Sequence, residues 1–456
     1  MIKLTTQQLA QILNANLIGD EQAVVENINT DTRKAVSNSL FFALKGEHFD
    51  AHQYLDKAIE QGATALVVQQ ANTEIVTPQL VVADTRLALG QLAKWLREKI
   101  NPRTVAMTGS SGKTTVKEMT ASILQQTAGN PEAVLFTNGN FNNDIGVPLT
   151  LLRLTEQHKF AVIELGANHQ GEIDYTTHLA QPEAALVNNV AAAHLEGFGS
   201  IEGVARAKGE IYRGLTPNGV AIINSEHNYI ELWQTEIGSH AIQYFNGGDY
   251  KAENVQHSPN GSMFTLVSPK GSIEINLPYL GEHNVKNALA ATALAMNVGA
   301  SLADVKAGLE HRSQVKGRLF PIQVNENLLL LDDTYNANVD SLQAAIDVLK
   351  GYDAFRILLV GDMKELGEDS LKCHQQVGEH AKQAKLDLVL SYGTESAVIS
   401  EAVLGKHFTD KAELTAYALD IIKQKLQENQ KVVVLAKGSR SMKMEETIYS
   451  LKDSLC

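Results

Sequence analysis

A lysine and a threonine, Lys113 and Thr114, follow a glycine in the stretch "AMTGSSGKTT", which nearly matches a phosphate-binding P-loop. The usual pattern is G-x-x-x-x-G-K-[ST]: backbone N–H groups cradle phosphate, the lysine reaches the β- and γ-phosphates, and the hydroxyl faces Mg²⁺. Here Met107 takes the place of the first glycine, which comes two residues later at Gly109. The residue types indicate a nucleotide site, and the displaced glycine leaves open a chance match or a variant of the loop.

The sequence on either side favours a true loop. "RTVAMTG" is a short apolar run typical of a buried strand, and "TTVKEMTASILQQ" has apolar residues at helical spacing with Glu118 in its first turn. The glycines therefore lie between a strand and a helix N-terminus, where N–H groups and the helix dipole attract phosphate. The alternative is a tight turn with a surface lysine. The predicted nucleotide-binding residues of the loop are Thr108, Gly109, Ser110, Ser111, Gly112, Lys113, Thr114 and Thr115.

Two later residues are candidate metal ligands. Glu164 ends the strand predicted in "AVIELGANHQGEI", and Mg²⁺ prefers one or two carboxylates together with phosphate oxygens. His194 follows the next predicted strand. The alternatives are an exposed strand-end glutamate and a structural histidine.

Lys208 lies in "ARAKGEIYRG", inside a predicted helix among small residues. A solvated surface lysine is the ordinary interpretation. A desolvated lysine loses its proton easily, and a neutral amine can take up CO₂ to form a carbamate. That reaction converts a cation into an anionic oxygen ligand, so Lys208 is a further candidate at a metal site.

Polar residues suited to a nucleoside and to phosphate occur later in the chain. His283, Asn284 and Asn287 begin an otherwise apolar helix and share one face of it, which suits an adenine edge, although Asn284 also suits a helix cap. Arg318 is suited to a transferring phosphoryl group and Asp333 to ribose hydroxyls. Because these two lie in a different predicted domain from the P-loop, we expect closure over a nucleotide in a cleft.

Composition sets limits on the kind of protein. The chain has 456 residues, 44% apolar and 20% charged, which suggests about three globular domains at ~150 residues each. A formal net charge of −13 disfavours nucleic acid or an anionic membrane as the main partner. The two cysteines, Cys373 and Cys456, allow no disulfide framework and no CxxC metal site, so we expect a reducing cytoplasm.

Targeting and membrane signals are not expected. The segment "MIKLTTQQLAQIL" is amphipathic and lacks the apolar core of a signal peptide. No apolar run approaches the roughly 20 residues needed to cross a bilayer. We therefore predict no membrane insertion.

The order of elements predicts an α/β protein of three units, at residues 1–85, 86–312 and 313–456. The first mixes short strands and helices. The second alternates strands and helices, which implies a largely parallel sheet, but residues 250–280 alternate polar and apolar residues between Asn-Gly and Lys-Gly turns, as an antiparallel β insert would. The third unit has four strand–helix repeats whose strands end in Gly or Asp, as in a doubly wound sheet.

Taken together, these motifs resemble the Mur ligase family of peptidoglycan synthesis, whose P-loop reads T-G-x-x-G-K-[ST] with the displaced glycine. The resemblance covers essentially the whole chain. "GNFNNDIGVPLTLL", "DDTYNANVDS" and "VGDMKELGE" are most similar to the members that join D-Ala-D-Ala to UDP-N-acetylmuramoyl-tripeptide. Many of these read N-A-N-P where this chain has Val339 after Asn338, a difference we do not expect to affect chemistry.

The resemblance implies a small α/β N-terminal domain for the UDP end, a central ATPase domain and a C-terminal Rossmann-like domain. It implies ATP and two Mg²⁺ ions as cofactors and small-molecule substrates as partners. We expect no other partner and a monomer. The resemblance places Lys113 on the phosphates, Thr114 and Glu164 on Mg²⁺, and His194 on a second Mg²⁺ with a carbamoylated Lys208. The ATP contacts it implies beyond the loop are Asn287 on the adenine side, Arg318 on the γ-phosphate and Asp333 on the ribose. The catalytic set is then Lys113, His194, Lys208 and Arg318.

Substrate contacts are predicted in three places. The segment "NTDTRKAVSNSLFFALKGEHFDAH" resembles the family's UDP-binding segment, and the C-terminal strand ends face the predicted crevice. The third place is the "GNFNND" stretch, which carries part of the family resemblance. Within the C-terminal set, Lys437 and Arg440 suit the dipeptide carboxylate, although Arg440 also suits a surface position at a helix start. The predicted substrate-binding residues are Asp31, Thr32, Arg33, Lys45, Gly46, Asn140, Asn142, Asn143, Asn336, Asn338, Lys437, Ser439 and Arg440.

Two other functions remain open from the sequence. One is another ligase of the same superfamily, such as folylpolyglutamate synthase, which the "DTYNAN" and "GDMKELG" stretches disfavour. The other is a P-loop switch or regulatory ATPase that joins nothing. Such a switch would hydrolyse ATP without any requirement for an acceptor amine.

Overall fold

A computed structural model describes residues 3–192, 195–226, 229–311 and 316–455. They form three successive α/β units, which confirms the predicted class and the three-domain architecture. No helix in these ranges combines the length and apolarity that crossing a bilayer requires.

The first unit is built on a five-stranded sheet in the order β2-β7-β6-β5-β4. Strands β4 to β7 are parallel and β2 is antiparallel. Its elements are β1 (Leu4–Thr5), α1 (Thr6–Leu13), β2 (Asn16–Ile18), β3 (Val24–Val25), β4 (Asn27–Asn29), β5 (Ser39–Phe42), α2 (Leu55–Glu60), β6 (Ala63–Val68) and β7 (Gln79–Val81).

The central unit has a six-stranded, wholly parallel sheet in the order β13-β12-β11-β8-β10-β9. Its strands are covered on both faces, as parallel sheets require, and the strand that leads into the P-loop lies in the middle. The elements up to the last of these strands are α3 (Thr85–Ile100), β8 (Arg103–Thr108), α4 (Lys113–Ala128), β9 (Val134–Phe136), α5 (Gly146–Leu151), β10 (Phe160–Glu164), α6 (Glu172–Ala180), β11 (Ala184–Val187), α7 (Leu195–Phe198), α8 (Ile201–Gly209), β12 (Val220–Asn224), α9 (Ile230–Ile237) and β13 (Ala241–Phe245).

The predicted antiparallel insert is confirmed as a three-stranded meander. Two helices follow it and pack against α4 of the central unit. These elements are β14 (Lys251–Ser258), β15 (Gly261–Ser268), β16 (Gly271–Leu277), α10 (Glu282–Asn297) and α11 (Leu302–Glu310).

The third unit has a six-stranded sheet in the order β17-β18-β22-β19-β20-β21. Only the edge strand β17 is antiparallel, so the remainder is a Rossmann-like parallel sheet. Its elements are β17 (Phe320–Asn325), β18 (Leu328–Asp332), α12 (Val339–Lys350), β19 (Phe355–Gly361), α13 (Ser370–Ala384), β20 (Leu388–Tyr392), α14 (Ala397–Ala402), β21 (Lys406–Phe408), α15 (Lys411–Gln427), β22 (Val432–Lys437) and α16 (Glu445–Leu455).

Candidate nucleotide-binding and ligation site

The P-loop joins β8, which ends at Thr108, to α4, which begins at Lys113. Gly112 has φ +76°, and a Cβ there would lie 2.5 Å from Asn188 Nδ2 and 2.6 Å from Asn287 Oδ1. Only glycine fits both the left-handed backbone and the close approach. The second glycine of the motif is therefore required by local geometry.

Two asparagines after β11 hold the loop in shape. Ser111 N–H donates to Asn189 Oδ1 at 2.8 Å, and Ser110 N–H donates to the Asn189 carbonyl at 3.1 Å. Asn188 Nδ2 donates to the Ser111 carbonyl at 3.1 Å. We did not predict either asparagine, although a pair of asparagines directly after a strand next to the P-loop was a usable signal.

Lys113 lies at the start of α4 with its ammonium folded onto the loop. Its Nζ donates to the Gly109 carbonyl at 2.7 Å. Burial lowers the pKa of Lys113; nearby Glu164 opposes this effect, and the charge of Arg318 adds to it. A phosphate group at the loop would add an anion beside this cation.

Glu164 ends β10 and is 2% exposed. Its Oε1 accepts a hydrogen bond from Asn142 Nδ2 at 2.9 Å. Its Oε2 is buried and has no hydrogen-bond partner among the residues that the structure describes. An unpartnered buried carboxylate oxygen is costly, so it suits a cation.

Lys208 lies near the end of α8 and is 2% exposed. It lines the same cavity, of about 260 Å³, as Lys113 and Glu164. Burial, and then the like charge of Lys113, lower the pKa of Lys208 well below the ordinary lysine value. The surface interpretation of Lys208 is therefore wrong for this structure, because the side chain is enclosed within the site.

Few side chains of the described residues are available as Mg²⁺ ligands at this site. In the described ranges, no group of three or more His, Cys, Asp or Glu side chains could hold a metal ion by itself. The bare Oε2 of Glu164 and the hydroxyl of Thr114 nonetheless match an ion that takes most of its ligands from phosphate and water. His194 lies outside the described residues.

A second cavity, of about 390 Å³, adjoins the loop on the nucleoside side. Asn287 Oδ1 accepts from Asn188 Nδ2 at 3.0 Å, and Asn287 Nδ2 donates to Asn284 Oδ1 at 3.0 Å. The N-cap of α10 is Gly281, and Asn284 instead donates to the Leu280 carbonyl. Asn287 thus lies at the predicted adenine side but is already part of a polar network.

His283 lines this cavity as well. Burial lowers its pKa to about 4, with the charge of Lys437 adding to the effect. The imidazole is therefore neutral at physiological pH, so it would offer a nucleoside one N–H and one lone pair.

Arg318 reaches from the C-terminal unit to the P-loop helix. Its Nη2 donates to Thr114 Oγ1 at 3.2 Å, and its guanidinium lies 4.1 Å from the ring centre of Tyr335. Its Nε is buried without a partner in the described part of the chain. This cation is therefore close to where the γ-phosphate would lie against the loop.

Lys437 pairs with Asp333 across two neighbouring strands. Its Nζ donates to Asp333 Oδ2 at 2.7 Å and to the Asn336 carbonyl at 3.0 Å, and the residue is 3% exposed. Burial lowers the pKa of Lys437, while Asp333 opposes this. Its cation is therefore already neutralised by Asp333, which leaves it poorly placed for a dipeptide carboxylate.

The remaining C-terminal candidates divide into two groups. Asn336, Asn338 and Arg440 line the smaller cavity, and Arg440 also pairs with Glu445 at 2.8 Å with its side chain 61% exposed. Asn338 caps α12 and donates to the Ser110 carbonyl at 3.4 Å. Ser439 is buried and accepts from Lys364 N–H at 2.8 Å, so its hydroxyl is bonded to the loop that follows β19.

The N-terminal candidates lie in two surface turns. Arg33 pairs with Asp31 through Nε at 2.8 Å, and this guanidinium holds the pKa of Asp31 down at about 2. Thr32 lies between them in the same turn. Lys45 lies 3.8 Å from Asp50, and Gly46 N–H donates to the Phe49 carbonyl.

The "GNFNND" stretch forms the loop between β9 and α5. Asn140 and Asn142 line the smaller cavity. Asn143 instead bonds the backbone at the start of α5, because its Oδ1 accepts the Gly146 N–H at 2.8 Å. The side-chain oxygen of Asn143, one of the three predicted substrate contacts, is therefore already used in a hydrogen bond within the protein.

A central parallel sheet with a P-loop, and a second sheet that brings an arginine to that loop, define a P-loop nucleotide-binding protein of several domains. Comparison with family models identifies the family within this class. They match "Mur ligase family, catalytic domain" at residues 24–97, "Mur ligase middle domain" at 107–295 and "Mur ligase, glutamate ligase domain" at 317–440. The chain belongs to the Mur ligase family.

Proteins that are similar over nearly the whole chain carry the name of one ligase of this family. The chain is 77% identical to the UDP-N-acetylmuramoyl-tripeptide–D-alanyl-D-alanine ligase of Haemophilus influenzae, over 100% of both sequences. The crystal structure of MurF from Acinetobacter baumannii is 40% identical, covers 99% of each chain and has a TM-score of 0.94. MurF of Thermotoga maritima, solved in complex with ADP, is 25% identical over 94% of this chain and 98% of that one, with a TM-score of 0.83.

Proposed function

We propose that this chain is an ATP-dependent ligase that joins D-Ala-D-Ala to UDP-N-acetylmuramoyl-tripeptide. The observation that carries the proposal is a single cavity lined by Lys113, Glu164, Lys208 and Arg318, in a chain whose full-length relatives bear the name of that activity. Reactions of this kind need an activated carboxylate, and the cavity concentrates cationic groups beside a nucleotide loop. The product is the UDP-muramoyl-pentapeptide.

The first step is attack of the tripeptide's terminal carboxylate on the γ-phosphorus of ATP. The bond from the γ-phosphorus to the bridging oxygen breaks, ADP leaves, and an acyl phosphate forms. Two anions approach each other in this step, so charge must be neutralised. Lys113 and Arg318 supply that neutralisation from two different domains. Mg²⁺, when bound, adds further neutralisation at the phosphate oxygens, with Glu164 and Thr114 as its ligands and His194 and Lys208 assigned to a second ion.

The second step is attack of the dipeptide's neutral amine on the acyl carbon. The amide bond forms, phosphate leaves with the former carboxylate oxygen, and the amine loses a proton. We assign the dipeptide carboxylate to Arg440, because it lines the cavity and the arginine of its pair with Glu445 is exposed, whereas the pair of Lys437 with Asp333 is buried. Asn336 lines the same wall and is suited to the peptide ends.

Lys208 is assigned as a carbamate. A fully enclosed ammonium beside the Lys113 cation is unfavourable, and the lowered pKa favours the neutral amine that reacts with CO₂. The resulting anion would pair with cations in the same cavity. This assignment explains why a buried lysine is placed next to another one.

Several finer assignments complete the proposal. The domains span residues 1–85 for the UDP end, 86–312 for ATP and 313–456 for the C-terminal unit. The UDP contacts are the two turns that carry Asp31, Thr32 and Arg33, and Lys45 and Gly46. A monomer in the cytoplasm is the proposed state and place.

A phosphate-release assay against a panel of acceptors tests the proposal. With UDP-N-acetylmuramoyl-tripeptide and ATP present, D-Ala-D-Ala should drive phosphate release and yield the pentapeptide by mass. Glutamate, lysine or diaminopimelate should not. Turnover with one of those amino acids and none with the dipeptide would indicate a ligase of the family that adds a different acceptor. ATP hydrolysis without any acceptor would favour a switch ATPase.

A further inference from the structure

The side chain of Asn142 contacts a carboxylate of the protein, although Asn142 was predicted as a substrate contact from the "GNFNND" stretch. Asn142 Nδ2 donates to Glu164 Oε1 at 2.9 Å. The other oxygen of Glu164 is buried and unpartnered within the described ranges. The amide therefore satisfies one oxygen of the carboxylate and leaves the other for a ligand.

The position of Asn142 is fixed on both sides. Its carbonyl accepts the Gly166 N–H at 2.8 Å, and its own N–H donates to the Asn140 carbonyl at 2.7 Å. A Cβ at Gly166 would lie 2.9 Å from Asn142 Cγ and Oδ1. The glycine two residues after Glu164 thus makes room for the amide, which packs directly against the backbone that follows the strand.

Both ends of the loop that carries Asn142 are also anchored. At its start, Thr137 Oγ1 accepts the Glu164 N–H at 3.0 Å, and the buried Lys117 Nζ donates to the Thr137 carbonyl at 2.7 Å. At its end, Arg86 pairs with Asp144 at 2.6 Å. A loop tied at both ends and bonded to Glu164 in the middle has the rigidity that orienting a ligand requires.

We propose that Asn142 is a positioning residue: it orients the Glu164 carboxylate so that Oε2 faces the Mg²⁺ of the nucleotide complex. This inference rests on the proposed function, because it takes Glu164 as a ligand of that ion. Asn142 does not bind the peptide. Its effect on catalysis is exerted through the carboxylate.

The test is Mn²⁺ binding to the enzyme–ADP complex, measured by electron paramagnetic resonance, together with steady-state kinetics. Asn142→Leu keeps the approximate shape and removes the donor, and Asn142→Ala is the second variant if the leucine fails to fold. Loss of an outer-sphere partner typically weakens a metal site by about 10- to 100-fold. Both the Mn²⁺ dissociation constant and the Mg²⁺ concentration for half-maximal rate should rise by that factor, while the KM for UDP-muramoyl-tripeptide stays unchanged. Asn138→Ala, an exposed residue of the same loop, should change none of these.

A rise in the KM for the UDP substrate with unchanged Mn²⁺ binding would make Asn142 a peptide contact and overturn the inference. Glu164→Gln separates this failure from failure of the proposed function. If Glu164→Gln weakens Mn²⁺ binding and the Asn142 variants do not, only the positioning role is lost. If Glu164→Gln leaves Mn²⁺ binding unchanged, the metal assignment fails and the positioning role fails with it.

Discussion

The ammonium of Lys113 lies on the loop that would hold the phosphates, so it is directly placed to neutralise their charge. Replacing Lys113 by alanine should lower kcat by about 10²- to 10³-fold, the usual cost of losing one preorganised charge-stabilising group. Thermal unfolding should confirm that the variant is folded, and Thr114→Ala should behave similarly. Near-normal turnover of Lys113→Ala would remove the P-loop from the mechanism.

Lys208 offers a second test at the residue scale. If it acts as a carbamate, Lys208→Ala should be nearly inactive, and added acetate or formate should restore part of the rate by supplying the lost carboxylate. The control is Lys113→Ala, which small carboxylates should not rescue because it lacks a cation. Electron density that shows a bare Lys208 amine in an active, metal-bound complex would contradict the carbamate.

Individual side chains were predictable where a motif fixed their position along the chain. The P-loop residues lie at a strand–helix junction, as predicted from the flanking apolar patterns. Pairing across space was not predictable. Lys437 and Asp333 are 104 residues apart in sequence yet form a 2.7 Å contact, and only the register of their neighbouring strands brings them together.

At the scale of elements, the "VGDMKELGE" stretch has a structural role. Asp362 follows β19 and is 1% exposed. It accepts N–H bonds from Thr394 at 2.9 Å, Glu395 at 3.1 Å and Ser396 at 2.9 Å, and Lys364 Nζ lies 2.9 Å away. The carboxylate thus joins the ends of two neighbouring strands and holds the turn before α14.

This arrangement predicts a pH-dependent stability. Burial alone would raise the pKa of Asp362, but the N–H donors and Lys364 outweigh it and lower the pKa. The stabilisation is therefore complete above the unfolded value of about 3.9, and it is lost as the pH falls below that value. Asp362→Asn should cost on the order of 3 kcal/mol at pH 7, and the difference from wild type should shrink below about pH 4.

Urea unfolding followed by circular dichroism between pH 3 and 7 measures that difference. The exposed Asp353→Asn is the matched control and should follow wild type throughout. If the difference in unfolding free energy between wild type and Asp362→Asn does not depend on pH, the charge of Asp362 is not what stabilises the turn.

The strands in the middle of each large sheet were predicted, whereas several edge strands were missed. The central six-stranded sheet ends in β9 and β13, and the C-terminal sheet ends in β17 and β21. β9 and β21 have only three residues each, and β13 and β17 are largely half-exposed. Buried parallel strands give continuous apolar runs, but a short or half-solvated edge gives none.

At the scale of the whole molecule, contacts between domains build the site. Arg318 of the C-terminal unit reaches Thr114, and Asn338 reaches the Ser110 carbonyl. The sequence indicated that ATP contacts come from two domains, since Arg318 and the P-loop lie more than 200 residues apart. The sequence did not indicate how the domains meet, because no local pattern encodes a contact between separately folded units.

The central claim is that a carboxylate is activated by direct phosphoryl transfer before the amine attacks. Its most direct test uses UDP-muramoyl-tripeptide with both oxygens of the reacting carboxylate labelled with ¹⁸O, together with ATP and D-Ala-D-Ala. Mass spectrometry of the products should find one ¹⁸O in the released phosphate and one in the new amide carbonyl. Unlabelled phosphate would mean that water attacked ATP and would contradict the account.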